Sequence, residues 1–587
     1  MSFVELLARL GGMGRFQVTY VAALAVPLLM LASHNLLQNF TAGVPEHHCR
    51  PRAAANGSSV PLAVSIPWER RRPQRCRRFL EPQWHLLDTN GSANAAANGS
   101  AGHAATEPCH DGWTYLDGIF RDTIVTEWDL VCDSQKLRQV AQSIYMAGIL
   151  VGSCLFGVLS DKFGRRALLS WCYLQLGAMG VGTAAAPSLP VYCVCRFLTG
   201  LAMAGVSLNS ASLCMEWIPT EARAIVGTIN GYCYTLGQFV LAAAAFALPR
   251  WRQLQLAVSL PFFGFFLYSW LYVESARWQV TSGRPDLALR GLRKVARVNG
   301  RKEEGDKLSE EVGTGLGPPL PGGAVAALVR TPGMRTVSCG VAFVWFSTSF
   351  AYYGLAMDLQ SFGFNVYLSQ VVFGAVDIPA KLLSVLAISC LGRRPAQGGS
   401  LALAGLCILG NIFVPSALRM ALAVIGKGAL AASFNCAFIF TGELFPTVIR
   451  QTGMGLGGTL ARVGGMVAPL VRLTAEVAPA LPLVIYGVAP VVSALATAAL
   501  PETRHTALPE TVRDVERRPK YLGPQPKIPG TPNPKFPGSP DPKSHGPQNT
   551  RDPRPKIPMG PQTQNPQGPQ TQNPRDPRPK IPWHPGG

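Results

Sequence analysis

The chain has 587 residues, 48% of them apolar and only 15% charged. Soluble proteins carry about 25% charged residues, so an ordinary soluble enzyme, a disordered chain and a small disulfide-rich secreted domain all fit badly. The net charge of +20 lies in short basic clusters between apolar runs, which speaks against a nucleic-acid partner and for basic loops beside membrane spans.

In chain order, apolar runs fall near 18–38, 139–160, 167–186, 190–212, 224–248, 254–273, 335–357, 366–390, 397–418, 419–441, 452–473 and 480–500. Each approaches the roughly 20 residues needed to cross a lipid bilayer. They group as six, a polar gap, and six more. The first run is too long and too far from the start for a cleaved signal peptide, and no small-residue cleavage site follows it. The pattern predicts an all-α membrane protein of twelve transmembrane helices. Its N-terminal six-helix half covers 1–275, a cytoplasmic loop 276–332, the C-terminal half 333–501, and a tail 502–587.

The stretch 39–135 holds four N-x-S/T sequons, at Asn39, Asn56, Asn90 and Asn98, which are used only on the outer face of a membrane. It also holds Cys49, Cys76, Cys109 and Cys132. An even number of cysteines in an oxidising compartment predicts two disulfides, with three pairings open. Arg70, Arg71, Arg72, Arg75, Arg77 and Arg78 crowd this stretch, but long loops translocate largely regardless of charge. The shorter basic loops all fall on the other side. They are Asp161 to Arg166, Gly392 to Arg394, Arg450, and the gap with Arg290, Arg293, Lys294, Arg297, Arg301 and Lys302. That side is cytoplasmic by the positive-inside rule, and both termini join it. His47-His48-Cys49 looks like a metal cluster but includes a disulfide cysteine, so no metal is expected. The sequence holds no phosphate-binding loop, zinc spacing or nucleophile elbow, so neither enzymatic activity nor a cofactor is expected.

The tail repeats Arg-Asp-Pro-Arg-Pro-Lys-Ile-Pro at 551–558 and 575–582. Its composition predicts disorder with extended polyproline character. Pro555 and Pro558 have the P-x-x-P spacing that an SH3-type or scaffold partner reads, and a basic tail without a partner is the plainer reading.

Gly157 and the run Ser160-Asp161-Lys162-Phe163-Gly164-Arg165-Arg166 join the second and third spans, and Gly392-Arg393-Arg394 repeats the theme between the eighth and ninth. Asp161, Arg165, Arg166, Arg393 and Arg394 are candidates for a latch on one conformation; the plainer alternative is that they only fix orientation. The spacing G-x-x-x-D-x-x-G-R-R resembles the loop signature of the major facilitator superfamily. That resemblance implies two pseudo-symmetric six-helix bundles, a midplane site and rocking between outward and inward states. Gly148 with Gly152, and Gly227 with Gly231, have the spacing for close helix packing.

Further motifs narrow the resemblance. They are Ser33-His34-Asn35 and Leu37 to Thr41, Thr126 to Cys132, Glu274-Ser275-Ala276-Arg277-Trp278, and Thr441 to Thr447 continuing through Arg450 to Gly455. Together with the long first loop these resemble the organic ion transporters of the solute carrier 22 family, from residue 1 to about 511. Phe350-Ala351-Tyr352-Tyr353-Gly354 resembles its organic anion branch.

Ionisable residues deep in a span are costly and mark function. Lys381, Lys427 and Arg462 stand out. Asp377 precedes Lys381 by one helical turn, so an internal Asp377–Lys381 pair competes with a functional reading of that lysine. Lys427 reads equally as an interhelical contact. No acid in the same spans balances Lys427 or Arg462. A guanidinium grips a carboxylate bidentately, which makes Arg462 the leading site residue. In the family, the cation branch carries an acid at this place and the anion branch an arginine. Tyr232, Trp345, Tyr352, Tyr353 and Phe438 are candidates to stack on an apolar substrate body, and Asn35 to hydrogen-bond it. Tyr352 and Tyr353 point about 100° apart on a helix, so one of them is expected to face the cavity.

The resemblance thus implies a plasma-membrane secondary transporter of small organic anions, amphipathic or aromatic carboxylates, exchanged for an intracellular dicarboxylate. The alternatives are a non-transporting surface receptor or scaffold on the same fold, and an organic cation transporter, which Arg462 disfavours.

Overall fold

The computed structural model describes residues 3–516 except 53–59, 70–71, 87–103, 220–221, 309–323, 363–364, 447–448, 505, 507–508 and 510–511. The Pro-rich repeats, Asn56, Asn90 and Asn98 therefore lie outside the described residues.

Among the described residues, twelve helical spans form. In the N-terminal half they are α1 (Arg15–Leu36), α2 (Gln135–Phe163), α3 (Arg165–Ala184), α4 (Leu189–Trp217), α5 (Arg223–Ala247), and a sixth span broken into α6 (Trp251–Ser259) and α7 (Pro261–Ser269). The C-terminal half holds α8 (Pro332–Ala356), α9 (Val366–Cys390), α10 (Arg393–Gly410), α11 (Ser416–Leu444), α12 (Arg450–Val471) and α13 (Leu481–Ala498). Among the described residues eight helices meet length and apolarity limits for crossing a membrane. The sixth span breaks where Pro261 opens α7, because proline supplies no amide hydrogen to the preceding turn. The ninth span was expected over 397–418 and forms over Arg393–Gly410. The apolar run continues through Ile412, Phe413 and Val414, but Pro415 ends the turn there and starts the next helix.

The two halves repeat one packing plan. In the first, α1 packs on α5, and α2 and α3 pack on α4; in the second, α8 packs on α12, and α9 and α10 pack on α11. Between halves the pairs are again equivalent, α2 against α12 and α9 against α5. Gly148 and Gly152 let α2 approach α4: a Cβ added at Gly148 would lie 2.2 Å from the Phe197 carbonyl oxygen, and one at Gly152 2.5 Å from that of Leu201. The expectation of the same role for Gly227 and Gly231 fails. A Cβ added at Gly227 would meet nothing within 4 Å, and one at Gly231 would meet only the end of the Lys381 side chain, at 3.5 Å.

The polar gap folds back on the N-terminal half. Helix Pro285–Val298 buries Ala288, Leu292, Val295 and Ala296, one face at helical spacing. Asn299 then accepts from the Phe16 amide at 2.9 Å at the start of α1.

Among its described residues the first loop is built on three short antiparallel pairings, including His47–Cys49 with Trp113–Tyr115 and Arg77–Phe79 with Thr106–Pro108. Disulfides join Cys49 to Cys109 and Cys76 to Cys132. Arg78, 2% exposed, is held by Glu107 at 2.7 Å and Asp111 at 2.6 Å, so at least one arginine of the basic run serves the loop's own packing. Asn39 corrects an expectation. It lies in the short helix Gln38–Thr41, is buried, and donates to the Ala356 carbonyl at 2.9 Å and to Gln370 at 3.4 Å. A glycan has no room there in this fold.

Candidate functional site

The site is assembled from α1, α2, α5, α8, α9, α11 and α12, which meet where the halves face each other. Arg462 projects from α12. It is half-buried and has no hydrogen-bond or ion-pair partner among the described residues. Tyr353 on α8 and Cys154 on α2 lie within electrostatic reach of it. Gly465, one turn along α12, makes room for the Tyr353 ring: a Cβ there would lie 3.1 Å from it.

The Tyr353 hydroxyl lies near that of Tyr234 on α5. The Asn35 amide approaches the Tyr234 hydroxyl at 3.5 Å, and the Tyr145 hydroxyl donates to the Asn35 oxygen at 2.8 Å. The Arg196 guanidinium covers the Tyr145 ring at 4.1 Å from its centroid. A polar chain thus links Tyr234, Asn35, Tyr145 and Arg196 within the N-terminal half, with Tyr353 and Arg462 of the other half beside it. Tyr352 points away, as the 100° rule requires. It is 5% exposed, edge-on to Phe434.

The second cation, Lys427 of α11, is fully buried. Its ammonium lies 2.7 Å from Asp377 and donates to the Phe373 carbonyl at 2.6 Å. Asp377 also accepts from Gln238 at 2.9 Å. This corrects the expectation that no acid balances Lys427, and it removes the Asp377–Lys381 pair. Lys381 instead reaches across to the other half, donating to the Gly231 carbonyl at 2.7 Å and to Thr235 at 3.0 Å, with its ammonium 5.6 Å from the Tyr232 ring centroid. A described acid thus accounts for Lys427, whereas Arg462 keeps its full charge toward the cavity and Lys381 spends two of its three donors on neutral oxygens.

Trp345 donates to Thr441 at 3.0 Å and meets Phe434 edge-on. It is a wall residue locked in place. Phe438, one turn beyond Phe434 on α11, is 50% exposed.

The basic loops form two matched clusters. Gly164 and Gly392 take φ of +97° and +107°, a region that glycine enters without cost. Directly after each, two backbone amides point at a carboxylate. Glu274 accepts from Arg165 and Arg166 at 3.1 and 3.0 Å, and Glu502 accepts from Arg393 and Arg394 at 2.9 and 3.0 Å. These carboxylates cap the N-termini of α3 and α10, where helix dipoles favour negative charge. Burial pushes the Glu274 carboxyl above its ordinary range. Arg165 further contacts Glu216 at 3.6 Å and Asp161 at 3.0 Å, while Arg393 grips Glu443 at 3.0 Å. Arg166 donates to the Trp270 carbonyl at 2.7 Å. All these contacts stay within one half.

At the end of the bundle that carries the disulfide-linked first loop, contacts cross between halves. Lys136 pairs with Glu476 at 2.8 Å, Gln360 and Val44 exchange hydrogen bonds, and Asn39 reaches Ala356. The halves are therefore joined at this end.

Sequence reasoning missed Tyr145, Tyr234, Gln238 and Phe434, and the caps Glu274 and Glu502. The caps carried a readable signal. Glu274-Ser275 and Glu502-Thr503 each follow the last span of their half by a few residues, an echo as regular as the arginine pairs themselves.

Comparison with known proteins places these features. The sugar (and other) transporter family matches residues 91–514. Solute carrier family 22 member 6 of Oryctolagus cuniculus is 54% identical over 528 residues, covering 88% of this chain and 95% of the relative. Organic anion transporter 3 of the same species is 50% identical over 526 residues, covering 88% and 94%. The inward-open xylose transporter XylE from E. coli aligns with a TM-score of 0.53 at 19% identity, over 66% of this chain and 92% of that one, a likeness of fold alone.

Proposed function

Because the chain belongs to the solute carrier 22 family of membrane transporters, we propose that it carries organic anions across the plasma membrane by alternating access, with both termini in the cytoplasm. The observation that carries this reading is the guanidinium of Arg462, which has no ion-pair partner among the described residues and lies near Tyr353, whereas the other deep cation, Lys427, is bound to Asp377. A carboxylate entering that cavity loses hydration worth several kcal/mol. Two charge-assisted bonds from one guanidinium offset that loss. Tyr353, Tyr232, Phe438 and Trp345 supply the apolar and aromatic wall for the rest of an amphipathic substrate.

Lys381 has the second role. It ties α9 to α5 through Gly231 and Thr235. A substrate carboxylate competes for that ammonium, so binding loosens a tie between the halves and couples occupancy to rocking. The matched Glu274 and Glu502 clusters hold each half rigid while the interface between them changes. Exchange for an intracellular dicarboxylate completes the cycle. Asn56, Asn90 and Asn98 carry the glycans, and the Pro-rich tail serves a partner rather than transport.

The test is uptake of a radiolabelled aromatic carboxylate into proteoliposomes. Preloading with a dicarboxylate should accelerate uptake over preloading with a neutral sugar. Uptake of an organic cation in place of the anion overturns the reading.

A further inference from the structure

A second cationic cavity lies above the central one, at the end where the halves are joined. Its volume is about 90 Å³, and its lining includes Gln38, Arg138, Gln142, Asp358 and Arg472. Three helix ends supply its charges. Arg138 stands in the first turn of α2, Asp358 just past α8, and Arg472 just past α12. Arg472 binds Asp358 and donates to the Met357 carbonyl at 2.9 Å, so the one acid is taken. Arg138 comes from the other half and lies within electrostatic reach of Arg472. Among the described residues its guanidinium makes a single long bond, 3.4 Å to the Ala42 carbonyl. Two cations facing one carboxylate leave an unbalanced positive charge in a confined space, a costly arrangement without a counter-ion. A further observation points to an occupant. The side-chain oxygens of Gln142, 2% exposed, and Gln38, 7% exposed, are buried on this lining without partners. Both amide nitrogens are spent elsewhere, on the Asn35 and Arg138 carbonyls. These oxygens are placed to accept from water that hydrates a bound ion.

We propose that this outer cavity binds a small monovalent anion, a short carboxylate or a halide, between Arg138 and Arg472, and that the bound anion holds the outer gate shut. The site exists only while the halves are together on this side, because each half supplies one guanidinium. The anion therefore binds the outer-closed state better than the outer-open one and shifts the equilibrium toward it. Arg462 plays no part, so the proposal stands apart from the central site.

The purified full chain in detergent, at constant ionic strength, tests it with chloride or formate against gluconate, which is too bulky for the cavity. Chloride or formate should raise the melting temperature by several degrees in the parent and in Arg462→Ala. The rise should vanish in Arg138→Gln and Arg472→Gln. Gating is read separately on Gln139→Cys, a lining position: chloride or formate should slow its labelling by an impermeant maleimide about threefold to tenfold, measured against the parent. A response to formate assigns the site to carboxylates and a response to chloride alone to halides, and either supports it. No response in the parent overturns the proposal. So does a response that survives both arginine variants, or one that disappears in Arg462→Ala.

Discussion

Lys427 and Arg462 are both cations placed by span helices at the interface of the halves, and the fold treats them in opposite ways. Lys427 is sealed in, with Asp377 at 2.7 Å and a backbone carbonyl at 2.6 Å. Arg462 is left half-buried without a described partner. A buried pair is an architectural element, and its two charges cancel toward anything in the cavity. An unpaired cation in the same surroundings costs stability and gains only when a ligand arrives. The difference teaches that depth in a membrane span marks a residue as important, while the presence or absence of a partner tells whether that importance is structural or functional.

The largest effect should come from breaking the sealed pair. Lys427→Met or Asp377→Leu alone leaves one buried charge unbalanced, at a cost of about 3–5 kcal/mol. Each single variant should nearly vanish from the cell surface and melt far below the parent. The double variant Lys427→Met, Asp377→Leu should recover much of that loss. Additive losses in melting temperature would break the comparison at its structural end.

Arg462→Ala tests the other end. It should weaken anion uptake by about 2–5 kcal/mol, roughly thirtyfold to several thousandfold, with surface abundance and melting temperature kept. Arg462→Lys should rescue part of the loss, because the charge returns without the fork. A melting temperature that falls as far as in the Lys427 variant would place Arg462 with the structural group.

Lys381 is intermediate, and Lys381→Met sharpens the scale. Lys381→Met removes a charged donor from two neutral oxygens and leaves no unbalanced charge behind, so its cost stays below that of splitting the sealed pair. Both uptake and melting temperature should fall, each by less than in the extreme cases. A change in melting temperature with unaltered uptake would remove Lys381 from the transport cycle.

The smallest effects belong to the two caps. Glu274→Gln and Glu502→Gln should each cost about 1 kcal/mol and should match each other, since both carboxylates bind two helix-start amides. Glu274 adds a pH signature. Its carboxyl is raised above its ordinary value by burial, so the native state binds its proton more tightly than the unfolded chain does. The corresponding stability is present below the ordinary value and is lost as pH rises through the raised one. A melting curve followed upward from pH 4.5 should show that decline in the parent and not in Glu274→Gln. The same decline in both would assign it to another group.

Much of the architecture was legible because lipid demands long apolar helices and tolerates little else. The twelve spans follow from that constraint, and the misplaced ninth span follows from an apolar turn, Ile412 to Val414, that composition alone cannot tell from helix. Arg462 was legible for the same reason, as a charge where charge is costly. The partner of Lys427 was not. The i, i+4 rule ties Asp377 to Lys381 on one helix, whereas the fold brings α11 against α9 and gives the aspartate to a lysine fifty residues away. Asn39 misled in a related way. Its sequon is a local pattern, and its burial depends on α8 and α9, more than three hundred residues downstream. Tyr234 and Tyr145 carry no local signal at all, because their importance lies in a hydrogen-bonded chain through three helices.

The interleaved disulfides of the first loop have a further consequence. Cys49–Cys109 and Cys76–Cys132 both straddle the segment between Cys76 and Cys109. A backbone cut anywhere in that segment leaves the two fragments fastened by two covalent bonds. A protease site inserted at 92–97 should therefore yield a nicked protein that migrates as one chain on a non-reducing gel and as two after reduction. Side-by-side pairing, Cys49 with Cys76 and Cys109 with Cys132, would release two fragments under both conditions. The disulfide-linked loop is thus a mortise-and-tenon joint whose continuity does not depend on an intact peptide backbone, which makes this segment the natural place to splice a tag or reporter into the chain.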